Sequence, residues 1–69
     1  MPNAEREKIK ILLNHWIEHN KEHSREFREW AEKAKGFGEA EPCCDILEAA
    51  QEMDKANDAL LRALKRLEN

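Results

Sequence analysis

Apolar residues recur at spacings of three and four along two long stretches of the chain, and the break between the stretches holds both glycines. The first stretch carries Ile9, Leu12, Leu13, Trp16, Ile17, Phe27, Trp30, Ala31 and Ala34. The second carries Ile46, Leu47, Ala50, Met53, Leu60, Leu61, Leu64 and Leu67. This period gathers side chains on one side of an α-helix. It predicts helix 1 over about residues 4–35, a turn over about 36–40 and helix 2 over about 42–67. Asn3 is a residue of N-cap type, with Glu5 in the first turn behind it. Lys33 and Lys35 suit the negative end of the helix dipole, and Gly36 and Gly38 are expected to stop the helix. Phe37, between the glycines, is expected to fold back onto the end of the core. Pro42 suits the first helical position of helix 2. Acids at Glu39, Glu41, Asp45 and Glu48 and bases at Arg62, Lys65 and Arg66 match that helix's dipole.

A turn this short forces an all-α antiparallel hairpin, in which facing residues have numbers summing to about 77. Leu13 then meets Leu64, Trp16 meets Leu60 and Leu61, Phe27 meets Ala50, and Trp30 meets Ile46 and Leu47. Two helices cannot cover this much apolar surface, which is widest at the open end, around Ile9, Ile11, Leu12, Leu13, Trp16 and Ile17 with Leu60, Leu61, Leu64 and Leu67. A homodimer forming a four-helix bundle is the natural solution, and packing on another protein domain is the alternative. Ala49, Ala56 and Ala63 recur every seven residues and would let a neighbouring helix approach closely.

One heptad interrupts the apolar pattern. Residues 19–24 turn every core-facing stripe of helix 1 polar, with His19, Asn20, His23 and Ser24, while helix 2 carries Asp54, Asn57 and Asp58. The pairing rule sets Asn20 opposite Asn57, His23 opposite Asp54 and His19 opposite Asp58. Two readings fit. A hydrogen-bonded layer would fix register and oligomeric state at some cost in stability. Alternatively His15, His19 and His23, which share one helical face at i, i+4 spacing, combine with Asp54 and Asp58 to hold a divalent transition metal such as zinc or nickel. His15, at the stripe edge, is the weakest member of that set. Catalysis on this layer would need a cavity and an open coordination position, and the sequence shows neither, so no enzymatic activity is expected.

Composition narrows the picture further. In 69 residues, 39% are charged, there are two glycines and two prolines, and neither valine nor tyrosine occurs. That composition suits long solvated helices and one small domain. The net charge is −3, with acids and bases interspersed, so nucleic acid is not an expected partner. No apolar run approaches the roughly 18 residues of a membrane span. The first residues are charged rather than leader-like, so a cytoplasmic location is expected. Cys43 and Cys44 are adjacent and cannot staple distant parts of the chain. Cys43 extends the apolar stripe and faces Ala34, as a small buried hydrophobe would.

The run Leu13-Asn14-His15-Trp16-Ile17-Glu18-His19-Asn20-Lys21-Glu22-His23, the run from Phe27 to Ala34, and Ala56-Asn57-Asp58-Ala59-Leu60-Leu61 carry a resemblance over nearly the whole chain. They are similar to a small uncharacterised helical domain of bacteria and archaea. That domain is associated with chains bearing a module like the CooT-type nickel-binding accessory proteins of carbon monoxide dehydrogenase maturation. The resemblance implies a companion helical domain with a connection to metal. The β-rich nickel module has no counterpart in these residues: position 2 is Pro2, and no alternating pattern exists. The tract Glu41-Pro42-Cys43-Cys44-Asp45 also departs from the alanines and acids such a domain would carry. The leading expectation is a helical self-association or protein-interaction domain with a central polar specificity layer. The alternative is a nickel- or zinc-binding module using the His/Asp set.

Overall fold

A computed structural model describes residues 4–68. It is an antiparallel hairpin of two helices, α1 (Ala4–Gly36) and α2 (Ala40–Glu68). The proposed N-cap at Asn3 lies outside the described residues. No described helix is long and apolar enough to cross a membrane.

The turn is tighter than the sequence pattern suggests. Gly36 is still helical, and Gly38 alone takes a left-handed conformation, with φ of 90°. The Glu39 amide donates to the Ala34 carbonyl at 2.9 Å, and the Gly38 amide donates to the Lys35 carbonyl at 3.1 Å. This pair of bonds is a Schellman motif, which satisfies carbonyls that the end of a helix would leave open. The Glu39 carbonyl then accepts from the Cys43 amide at 3.1 Å. One residue thus closes α1 with its N–H and opens α2 with its C=O. Helix α2 therefore starts at Ala40, and Pro42 is its third residue rather than its first. Proline is tolerated there because the first four amides of a helix have no intrahelical acceptor. Phe37 does not fold back onto the core: it is 70% exposed, because the Schellman geometry spends its residue on the turn.

The hairpin buries one narrow seam. From α1 it takes Leu13, Ile17, Ser24, Ala31 and Ala34, and from α2 it takes Cys43, Ala50, Asn57 and Leu64. At the open end Leu13, Ile17 and Leu64 pack with Leu60, Ala63 and Leu67. At the turn Ala31, Ala34 and Cys43 pack with Ile46 and Leu47. Cys43 is thus the buried small residue expected beside Ala34, while Cys44 is exposed, and both thiols are free. Ala31 and Ala50 are wholly inaccessible, so only small side chains occupy the seam at those two positions. At the open end the Arg6 guanidinium donates to the Leu67 carbonyl, tying the start of α1 to the last turn of α2.

The two tryptophans are not in this seam. Trp16 is 41% and Trp30 58% exposed. Each immediately precedes a buried residue, Ile17 or Ala31, and one residue is about 100° of rotation around a helix. The expected pairings of Trp16 with Leu60 and Leu61, and of Trp30 with Ile46 and Leu47, are therefore flank positions rather than core contacts.

The two glycines separate cleanly by experiment. Gly38→Ala places a Cβ at positive φ, and a loss of about 1 kcal/mol or more in unfolding free energy is expected. A Cβ at Gly36 meets nothing within 4 Å on a helical backbone. Gly36→Ala should therefore raise stability by about 0.5–1 kcal/mol. Urea titration of both variants, read by far-ultraviolet circular dichroism, checks the opposite signs.

Candidate functional site

The middle of the seam is polar, and its polar groups satisfy one another. Asn57 is buried on α2 and reaches across to α1 twice. Its Oδ1 accepts from the Asn20 side-chain amide at 2.9 Å, and its Nδ2 donates to the Ile17 carbonyl at 3.0 Å. One turn towards the loop, buried Ser24 donates its hydroxyl to Asp54 Oδ1 at 2.8 Å. The other carboxylate oxygen accepts from Arg28 Nη2 at 2.6 Å. Among the described residues, no buried side-chain nitrogen or oxygen lacks a partner. The Asn20–Asn57 pairing matches the register expected from the pattern.

The histidine pairings do not match it. Asp54 faces Ser24 and Arg28 rather than His23, because the carboxylate lies on the edge of the seam away from the histidine. His23 lies instead against its own helix. Its Nε2 is 2.7 Å from His19 Nε2, and its Nδ1 is 3.4 Å from Glu26 Oε1. One imidazole of the His19–His23 pair donates and the other accepts. His15 is exposed, its ring centroid 5.7 Å from that of His19. Asp58 is also exposed, on a shallow groove of about 300 Å³ that it shares with Leu61, Arg62 and Lys65, all from α2. The expected metal set of His15, His19, His23, Asp54 and Asp58 therefore separates into the His19–His23 pair, an exposed His15 one turn away, Asp54 bound to Ser24 and Arg28, and an exposed Asp58. No group of three or more His, Cys, Asp or Glu residues among the described ones could hold a metal ion.

Ser24 and Arg28 are the partners the pairing rule missed. They sit one turn apart on α1, and their signal was the i, i+4 step that lets both reach one carboxylate on the facing helix.

The Ser24 hydroxyl and then the Arg28 guanidinium hold the Asp54 carboxyl below its ordinary pKa, outweighing partial desolvation. The sign follows from linkage. A depressed folded pKa contributes stability that is complete above the unfolded value of about 3.9 and is lost as pH falls through the lower folded value. Carboxyl titration by NMR should show Asp54 returning towards the ordinary value in Ser24→Ala and also in Arg28→Ala. High salt should weaken the Arg28 contribution, since that pair is half exposed. An unchanged Asp54 titration in Ser24→Ala would contradict the assignment.

Residues 9–67 match the family described as "Domain of unknown function (DUF8180)". A relative from Archaeoglobus fulgidus, described as an uncharacterised protein, is 36% identical over 58 residues, covering 84% of this chain and 92% of the relative. Neither description states a metal, a reaction or a partner. No solved structure matches the chain. With the match running from the first apolar turn of α1 to the last leucine of α2, the chain belongs to the DUF8180 family.

Proposed function

We propose that this chain is a self-association domain, in which two hairpins pair face to face about a two-fold axis to give a four-helix bundle. The observation that carries the reading is one unpartnered face. Ile9, Trp16, His23 and Trp30 recur every seven residues on α1, and the last three each sit one position before a residue of the seam stripe. Ala49, Ala56 and Ala63 do the same on α2. In an antiparallel pair, such positions flank the seam on the same side. The Arg28–Asp54 bridge marks the opposite edge. Large rings beside a row of methyl groups make a surface that another helix pair can fill.

The dimensions support this reading. The radius of gyration is 16.1 Å, against about 11 Å for a compact domain of this length. The accessible surface is 5505 Å², against about 4,500 Å² for a compact monomer of 8.1 kDa. The hairpin measures 58 × 14 × 12 Å. One broad face, 58 × 14 Å, is long enough for a second copy to lie along its whole length. Lys33 Nζ lies 4.1 Å from the Trp30 ring centroid, a cation–π contact that shields only part of that indole.

In this reading the polar layer is a specificity device. Its bonds are made within one hairpin, so it holds the register that aligns the tryptophan face. The cost of such a layer is repaid in uniqueness rather than stability. Asn57→Ala leaves the Asn20 amide without its acceptor and should cost about 1–3 kcal/mol. The double change Asn20→Leu with Asn57→Leu should raise the melting temperature while broadening the distribution of assembled species. Sedimentation velocity and calorimetry on the same samples measure both effects.

Sedimentation equilibrium tests the association itself. A dimer is expected at micromolar concentration, with a melting temperature that rises with concentration. Trp16→Glu with Trp30→Glu should weaken dimerisation on the order of 100-fold or more, with helix content retained at high concentration. A wild-type chain that stays monomeric at several hundred micromolar would overturn the proposal.

A further inference from the structure

We propose that His19 and His23 form a two-point chelate for a divalent transition metal such as zinc, and that a second copy of the chain supplies the other two imidazoles of the shell. The bridged site rests on the self-association proposed above.

The geometry of the pair points to this use. His19 and His23 are one helical turn apart, with ring centroids 4.5 Å apart. Their Nε2 atoms converge to 2.7 Å. Two nitrogens bound to one zinc ion at about 2.0–2.1 Å lie roughly 2.9–3.4 Å from each other, depending on the bond angle. The pair therefore needs to open by only a few tenths of an ångström, and the metal takes the place of the proton now shared between the rings. The second ring nitrogen of His23 has a carboxylate near it. Glu26 Oε1 lies 3.4 Å from its Nδ1, at ion-pair rather than hydrogen-bond distance. A small side-chain adjustment would bring that carboxylate onto the Nδ1–H, where it would favour the tautomer that presents Nε2 to a metal, as in carboxylate–histidine–zinc arrangements.

One chain supplies only half of a closed shell. A structural zinc site takes four ligands, and the described residues of one hairpin gather no set of three. The location of the pair supplies the remainder. Asn20 is the midpoint of α1, and His19 and His23 lie within a turn of it, on the edge that carries Trp16 and Trp30. When two hairpins pair with their loops at opposite ends, α1 lies antiparallel on its copy and the two-fold axis crosses near this midpoint. The axis brings the two histidine pairs together and sets four neutral imidazoles around one point. His15 lies one turn outside the pair and takes no part.

The experiment starts from full-length chain stripped of metal with a chelator. Zinc titration by calorimetry, cobalt(II) absorption as a probe of tetrahedral coordination, and sedimentation are read together. The expected result is one metal per two chains, visible bands of tetrahedral cobalt, and a shift towards dimer when zinc is added. His19→Ala and His23→Ala should each abolish the zinc response while leaving helix content intact. Glu26→Gln should weaken zinc affinity about tenfold without removing it. A dimer that takes up no metal would overturn this proposal and leave self-association standing. A chain that stays monomeric while binding one metal would overturn both the bridged site and the association.

Discussion

Two helices share a single line of contact, and in this chain that line is narrow. Ala31 and Ala50 are fully buried, Cys43 and Ala34 continue the same small-residue seam, and the backbones are close enough for Asn57 to reach a carbonyl on the facing helix. Close approach excludes bulk. An indole at Ala31 or Ala50 would force the helices apart, so the largest apolar side chains go to the flanks. The exposure of both tryptophans is a consequence of how the seam closes, and most of what is distinctive about the surface descends from it.

The same closeness explains why the centre can be polar. An amide spanning the seam must find donors and acceptors within hydrogen-bond distance, because an unpaired buried polar group is costly. Asn57 finds both on α1, from the Asn20 side chain and the Ile17 backbone. Sliding one helix by a turn would break both bonds and set leucines against the vacated polar positions. The apolar ends of the seam tolerate such a slip far better, since one leucine contact resembles the next. Register is therefore set by the few polar bonds, while most of the burial lies in the two clusters on either side of them.

Much of this was legible in the sequence. The 3–4 spacing and paired glycines gave the hairpin, and the antiparallel counting rule put Asn20 against Asn57. What the pattern could not choose was which of two adjacent stripes faces inward. Trp16, His23 and Trp30 form one stripe, and Ile17, Ser24 and Ala31 form the next, a single residue on. Hydrophobicity favours the first, and close packing favours the second. The error carried through to the candidate site. A helix with His23 facing inward makes Asp54 its natural partner, whereas the inward residue is Ser24 and the carboxylate goes to it and to Arg28. Phe37 and Pro42 were misplaced for a local reason: the Schellman turn uses Gly38 rather than Gly36 as its left-handed residue.

The distinction between inward and flanking stripes also separates two polar groups that look continuous in the sequence. Asn20, Ser24, Asn57 and Asp54 make their hydrogen bonds within one hairpin, which suits a scaffold. Among the described polar contacts, the nitrogens of exposed His19 and half-exposed His23 meet only each other and Glu26. A layer whose bonds run across the seam holds a register within one hairpin. An unsaturated donor pair at the middle of an uncovered face has the opposite character. The sequence placed the histidines and the asparagines in one heptad, and a rotation of about 100° divides them into a part that builds the hairpin and a part available to another chain.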